Sequence, residues 1–152
     1  MKNYQTILVP LDGSDLAETA LADALLMADV NHAKVILLQA VEPAEHVIGL
    51  DSEHPIYLDQ QWESQKGFAQ DYLNNISRRL KKEGVESEIV VELGAGAETI
   101  LDYAQTNPVD LIVMATHGRS GVSRWVYGSV ADKVLRGAET PILLIRANNH
   151  SN

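Results

Sequence analysis

Five short apolar runs recur along the chain, separated by longer segments in which apolar residues are spaced as in helices. The runs are Thr6–Pro10, Ala33–Val41, Ser87–Leu93, Asp110–Met114 and Pro141–Arg146. Aliphatic and β-branched residues fill the first two almost without interruption, which is typical of strands covered on both faces of a sheet. We therefore predict five strands in a buried sheet.

Two of the intervening helices are predicted from apolar residues three and four positions apart. One begins at Ser14 or Asp15 and follows this spacing through Ala28, and the other covers Leu58–Glu83. The second helix ends in the basic turn RRLKK before a glycine, an arrangement that suits the carboxyl end of a helix. The polar stretch Pro43–Tyr57, which contains a glycine and two prolines, is predicted to be a loop.

Two further helices complete an alternating pattern. A short one follows the turn at Gly94 and stops at Asn107-Pro108, and a last one covers Ser129–Arg136. Ser129 is the predicted N-cap of the last helix, with Gly137 beyond its end. Strict alternation of strands and helices predicts right-handed crossovers and one parallel sheet with helices on both faces, which is an α/β fold.

Composition narrows the classes of protein that fit the chain. Of the 152 residues, 1–147 are expected to form one domain and 148–152 a flexible tail. The 21 acidic and 12 basic side chains give a formal net charge of −9, which disfavours nucleic acids and anionic membranes as partners. The absence of cysteine excludes disulfides and thiolate chemistry. No apolar stretch resembles a signal peptide or a membrane span, so a cytoplasmic protein is expected.

Polar chemistry is expected at the carboxyl ends of the strands, where open parallel sheets bind their ligands. Asp12, Gly13 and Ser14 follow the first strand directly. The carboxylate of Asp12 can accept hydrogen bonds from a ribose or from an adenine amino group. The alternative is that Asp12, Ser14 or Asp15 only caps the following helix.

A glycine-rich stretch after the fourth strand is the second candidate. It runs ATHGRSGVSRWVYGSVADK from Ala115 to Lys133. Glycines allow the backbone to approach an oxyanion closely, and the helix that starts at Ser129 has its positive end there. Gly118, Gly128 and Ser129 are therefore candidate phosphate contacts, with Arg119 or Arg124 as countercharges. The alternative is an ordinary turn with two solvated arginines.

Other functional signatures are absent or incomplete. No phosphate-loop lysine motif occurs, and the turn that starts at Gly94 has Thr99 where a dinucleotide fingerprint has its third glycine. His46 and His54 share an acidic loop, although their spacing favours a solvated loop over a metal site. His117 is equally consistent with a ligand contact and with a turn. No catalytic or metal-binding residue is predicted from spacing.

Together these segments resemble the universal stress protein family over nearly the whole chain. The matching motifs are ILVPLDGS, VILLQAV, GAGAETI, DLIVMATHGRSG, GSVADKVL and TPILLIR. The nucleotide-binding members of the family carry a glycine, two residues, a glycine, nine residues, then a glycine and a serine or threonine. Here the pattern reads Ala115-Thr116-His117-Gly118, Arg119 to Tyr127, then Gly128-Ser129, so Ala115 replaces the first glycine.

The resemblance implies a Rossmann-like fold of the adenine nucleotide alpha hydrolase type, with strand order 3-2-1-4-5. It implies a homodimer through the last strand, Pro141–Arg146, and bound ATP whose phosphates bring Mg²⁺. The residues that it places around ATP are Pro10, Leu11, Asp12, Ala40, Met114, Ala115, Gly118, Arg119, Gly128, Ser129 and Val130. Adenine would lie near Pro10, Asp12 and Ala40, the ribose near Asp12, and the phosphates near the last five residues.

Three functions follow from these observations as hypotheses. The leading one is an ATP-binding, stress-associated regulatory protein with slow or no hydrolysis of ATP. The alternative is a nucleotide-free dimeric interaction module, which Ala115 and the loop Pro43–Tyr57 favour. If the position of Ala115 requires a positive φ, alanine costs about 1 kcal/mol there. A small hydrolase or nucleotidyl transferase is the third, and it lacks a catalytic constellation.

Overall fold

The computed structural model describes residues 2–42, 55–118 and 128–148, which contain five strands and five helices. The strands are β1 (Thr6–Pro10), β2 (Lys34–Val41), β3 (Ser87–Leu93), β4 (Leu111–Gly118) and β5 (Ile142–Asn148). The helices are α1 (Asp15–Glu18), α2 (Leu21–Asn31), α3 (Pro55–Lys82), α4 (Gly96–Thr106) and α5 (Ser129–Gly137). Over the part of the chain that the structure describes, no helix is both long and apolar enough to cross a membrane.

The strands form one parallel sheet in the order β3-β2-β1-β4-β5. β1 lies at its centre, with Val9 opposite Leu37 of β2 and Ile7 opposite Leu111 of β4. The chain leaves β1 towards β2 on one side, and leaves β4 towards β5 on the other. The strand order therefore reverses between β1 and β4, and the predicted fold class is confirmed.

Alternate residues of the strands supply two separate layers of the core. On one face Ile7, Val9 and Leu37 pack with residues of α2 and α3, and on the other face Leu8 and Ile112 pack with residues of α4 and α5. All five of these side chains are fully buried. Because both faces are covered, the strands need apolar residues at consecutive positions, which accounts for the uninterrupted runs.

Several predicted boundaries were wrong. The loop predicted through Tyr57 includes the start of α3, which begins at Pro55; proline suits the first turn of a helix because no N–H is needed there. Residues 43–54 lie outside the described residues. The first predicted helix is divided into α1 and α2 at Thr19, whose hydroxyl donates to the Leu16 carbonyl at 2.6 Å.

The last two strands are longer than predicted. β4 continues past Met114 to Gly118, and β5 continues past Arg146 to Asn148. The two strands remain paired through this extension, with Ala115 opposite Ile145 and Gly118 opposite Asn148. Since the pairing is between distant segments, the polar residues of the extension are held in the sheet although their local pattern reads as a loop.

Candidate functional site

A cavity of about 440 Å³ opens at the carboxyl ends of β1 and β4, where the strand order reverses. Parallel sheets bind ligands at such switch points, because the helices on either side diverge there. The predicted site residues that line the cavity are Pro10, Leu11, Asp12, Ala40, Met114, Ala115, Gly128, Ser129 and Val130. Gly118 is the last residue of β4, which leads out of the cavity wall. Arg119 and Arg124 lie outside the described residues.

The turn after β1 caps helix α1 and also lines the cavity. Ser14 is the N-cap of α1, and its hydroxyl accepts the Ala17 N–H at 3.2 Å. Asp12 Oδ1 accepts the Ser14 N–H at 2.9 Å and also the Ser14 hydroxyl, so this carboxylate braces the cap. Gly13 has a φ of +87°, a conformation that side chains rarely adopt. Asp12 remains exposed and lines the cavity.

Helix α1 is also tied to α3 beside the cavity. Glu18 accepts hydrogen bonds from the Tyr72 hydroxyl at 3.2 Å and from Arg79 at 2.9 Å. Burial raises the pKa of the Tyr72 hydroxyl, and the negative charge of Glu18 raises it further. These contacts fix α1, and with it the turn that carries Asp12.

Ala115 lies in regular strand conformation, at the point where the family motif has its first glycine. It belongs to β4 and pairs with Ile145. Among the described residues, the non-glycine residue with a positive φ is His32, at the end of α2. Alanine at 115 therefore carries no cost of a left-handed backbone, and the residue forms part of the cavity wall.

The N-cap of α5 is Gly128, and the prediction of Ser129 was wrong. The Gly128 carbonyl accepts the first intrahelical bond, from the Asp132 N–H at 2.9 Å, which places Ser129 inside the helix. The Gly128 N–H donates to the hydroxyl of Thr116 at 3.4 Å. Thr116 is only 3% exposed, so this contact fixes the start of α5 against β4. The first N–H groups of α5, which include those of Ser129 and Val130, have no carbonyl partner within the helix.

The sequence analysis missed two polar residues of this site. Thr116 lies at a position for which the glycine motif specifies no residue type. Its contact with α5 becomes evident only from the structure, in which β4 extends as far as Gly118. Glu42 follows β2 immediately and lines the cavity, where its Oε1 accepts the Gly96 N–H at 3.2 Å. The signal that indicates Asp12, a carboxylate at the carboxyl end of a strand, is equally present at Glu42.

The described lining is acidic at its rim and apolar inside. It contains the carboxylates of Asp12 and Glu42 and, within the described residues, no lysine or arginine. The buried residues Leu38, Ile100 and Met114 line the cavity as well, and Val130 adds an exposed apolar side chain. Such a wall suits a flat apolar group, whereas an anion must be held by the N–H groups at the start of α5.

The histidines and the turn at Gly94 are the remaining candidates from the sequence. His117 lines the cavity, in the strand rather than in a turn. His46 and His54 lie outside the described residues. The turn at Gly94 is a close connection between β3 and α4, as predicted: its φ is +149°, and its N–H donates to the Val41 carbonyl at 3.0 Å.

Comparison with known proteins agrees with this architecture. The model of the universal stress protein family matches residues 3–146. Universal stress protein MJ0531 of Methanocaldococcus jannaschii is 31% identical over 143 residues, which cover 94% of this chain and 82% of that protein. Universal stress protein UspA from Lactobacillus plantarum superposes with a TM-score of 0.80 at 25% identity, covering 96% of this chain and 100% of that one.

A further solved structure, a universal stress protein in complex with cAMP, is 27% identical, with a TM-score of 0.68. The similarity covers 95% of this chain and 98% of that chain. Family model, curated relative and solved structures agree over nearly the whole length, as the motifs predicted. The chain therefore belongs to the universal stress protein family.

Proposed function

We propose that this chain is an ATP-binding universal stress protein that acts by binding, with slow or no hydrolysis of ATP. The observation that carries the proposal is the cavity between β1 and β4. Its volume of about 440 Å³ is in the range of small-molecule sites, and one end holds the start of α5. A family member solved in complex with cAMP supports an adenine nucleotide as the ligand.

The proposed placement follows the chemistry of the lining. Adenine lies against the apolar wall near Pro10, Leu11 and Ala40, with Met114 and Ala115 beneath it. Asp12 Oδ2, the oxygen that does not brace Ser14, accepts from the ribose hydroxyls. The phosphates lie against Gly128 and meet the backbone N–H groups of Ser129 and Val130, and Gly118 and Arg119 complete their surroundings. Mg²⁺ is bound by the phosphates and neutralises part of their charge.

Slow or absent hydrolysis is proposed because Asp12 and Glu42, the two carboxylates of the described lining, have other roles. General-base catalysis needs a group within hydrogen-bond reach of the attacking water. In the proposed placement Asp12 holds Ser14 through Oδ1 and the ribose through Oδ2, and Glu42 holds the start of α4, so neither carboxylate of the described lining is assigned to a water beside the phosphates at α5. The arrangement favours retention of ATP over its turnover, as expected of a regulatory protein of the cytoplasm.

Homodimerisation through β5 forms part of the proposal. β5 is an edge strand, paired with β4 along one side. Its apolar side chains, Ile142–Ile145, are only partly buried in the single chain. Pairing with a second copy removes an open edge of this kind. Sedimentation at micromolar concentration is expected to give the mass of a dimer, and a monomer at all concentrations would contradict this part.

Calorimetric titration with ATP and Mg²⁺ tests the proposed site. We expect one ATP per chain for the wild type, and a large loss of affinity for Ala40→Leu, which fills the cavity from β2. Ala22→Leu is the matched control, because it makes the same change on the exposed face of α2. Omission of Mg²⁺ is expected to weaken binding.

Two results would contradict the proposal. A folded wild-type protein that binds no ATP would favour the alternative, a nucleotide-free interaction module. Equal affinities of the Ala40 variant and the wild type would place ATP elsewhere. Circular dichroism of each variant shows whether the fold is retained.

A further inference from the structure

Glu42 holds a position in the cavity that the proposed placement of ATP does not use. It follows the last residue of β2 and is exposed at the cavity wall. Its Oε1 accepts the N–H of Gly96, the first residue of α4, at 3.2 Å. The N-cap of α4 is Ala95, which has no side chain able to accept this bond. Glu42 therefore caps α4 from a neighbouring strand.

Two helices begin at the cavity, and their ends differ in charge. Gly96 of α4 and Gly128 of α5 both line it. Each helix presents backbone N–H groups and the positive end of its dipole. At α4 this positive end faces the carboxylate of Glu42, whereas the N-cap of α5 is a glycine without a side chain. An anionic ligand therefore meets one neutralised helix end and one open helix end in the same cavity.

We propose that Glu42 is a specificity-determining residue, an inference that rests on the proposed function. Its carboxylate closes the α4 end of the cavity to phosphate and confines the phosphates to the start of α5. The same charge repels every phosphate that the ligand carries. The cavity thereby discriminates among adenine compounds by phosphate number, since an uncharged nucleoside is not repelled. The repulsion weakens at high salt because the carboxylate is exposed.

The variant Glu42→Gln separates the charge from the cap. The amide oxygen of glutamine can still accept the Gly96 N–H, so the start of α4 keeps its partner while the negative charge is removed. Glu139→Gln is the matched control: it changes the net charge equally, and Glu139 precedes β5 at the opposite end of the sheet. Thermal unfolding checks the cap, which Glu42→Ala removes and Glu42→Gln retains.

The test is calorimetry with adenosine, AMP and ATP, the last with Mg²⁺, at one fixed ionic strength. For Glu42→Gln we expect ATP to bind about three- to ten-fold more tightly than to the wild type, AMP less so, and adenosine with unchanged affinity. Glu139→Gln is expected to bind all three as the wild type does. Raising the salt concentration should reduce the difference between Glu42→Gln and the wild type.

The results that would refute the role of Glu42 differ from the result that would refute the proposed function. If Glu42→Gln changes the affinities for adenosine and ATP by the same factor, or changes neither, Glu42 does not discriminate by charge. If Glu139→Gln tightens ATP binding as much as Glu42→Gln, net charge and not position is responsible. If the folded wild type binds neither adenosine nor ATP, the proposed function itself fails, and the inference fails with it.

Discussion

Substitution of Gly128 by aspartate separates the stability of α5 from its proposed role in phosphate binding. A side chain at this position meets open space, since a Cβ atom on Gly128 would have no neighbouring atom within 4 Å. The backbone, with a φ of −56° and a ψ of 151°, has the extended conformation of an N-cap. Aspartate is among the best N-cap residues, so Gly128→Asp is expected to leave stability unchanged or raise it by a few tenths of a kcal/mol.

The affinity for ATP, in contrast, should fall in Gly128→Asp. The new carboxylate would accept the N–H groups at the start of α5 and place a negative charge beside the phosphates. Two unit charges 4 Å apart repel by about 4 kcal/mol at an effective dielectric constant of 20. Gly128 is exposed, so we discount this for solvent screening to about 2 kcal/mol, or roughly a thirty-fold loss of affinity.

The assay is calorimetry with ATP and Mg²⁺, combined with thermal unfolding of the same samples. Gly128→Asn is the matched control, because asparagine caps the helix equally well and has the same shape without the charge. We expect it to lose much less affinity than Gly128→Asp. Wild-type affinity in Gly128→Asp, with the fold intact, would refute the placement of phosphate at α5. Equal losses in the two variants would refute the electrostatic explanation.

Two other contacts give predictions of the same kind. Thr116→Val removes the acceptor of the Gly128 N–H, so it should lower the free energy of unfolding by about 1 kcal/mol and weaken ATP binding. Thr116→Ser keeps the hydroxyl and should keep the affinity for ATP. Equal calorimetric affinities of the two variants would contradict this prediction. Burial and Glu18 raise the pKa of the Tyr72 hydroxyl, so the native state keeps this proton when the unfolded chain loses it near pH 10. Stability should therefore fall as the pH rises above about 10, measured by urea denaturation, and Tyr72→Phe should fall less steeply.

The local pattern of apolar residues predicted most of the fold. β1 and β3 have the predicted bounds, because their runs end at a proline and at a glycine that stop the strand locally. The strand order came from the resemblance to a known family, since spacing along the chain does not tell which strands are neighbours. The extension of β4 was missed because its pairing with the distant strand β5 decides it, whereas the helix start at Pro55 and the break at Thr19 have local causes.

The candidate site was predicted in outline and corrected in detail. Asp12 and the start of α5 do line one cavity, as the strand order implied by the family resemblance indicated. The role of Thr116 depends on Gly128, more than ten positions away, whereas Glu42 carries the same local signal as Asp12 and only its contact with Gly96 needs the tertiary structure.

The sequence by itself determined the alternation of strands and helices, the parallel sheet and the family, because these follow from local spacing and from motifs within single segments. Only the tertiary structure decided that Ala115 lies in an unstrained strand, that Gly128 caps α5, and that Glu42 neutralises the start of α4. Gly128 is identified as the cap by its backbone conformation and its bond to Asp132, whereas the other two depend on contacts between segments that are distant in the chain. The energy of such a contact depends on the distance and burial of both partners, and a linear pattern specifies neither.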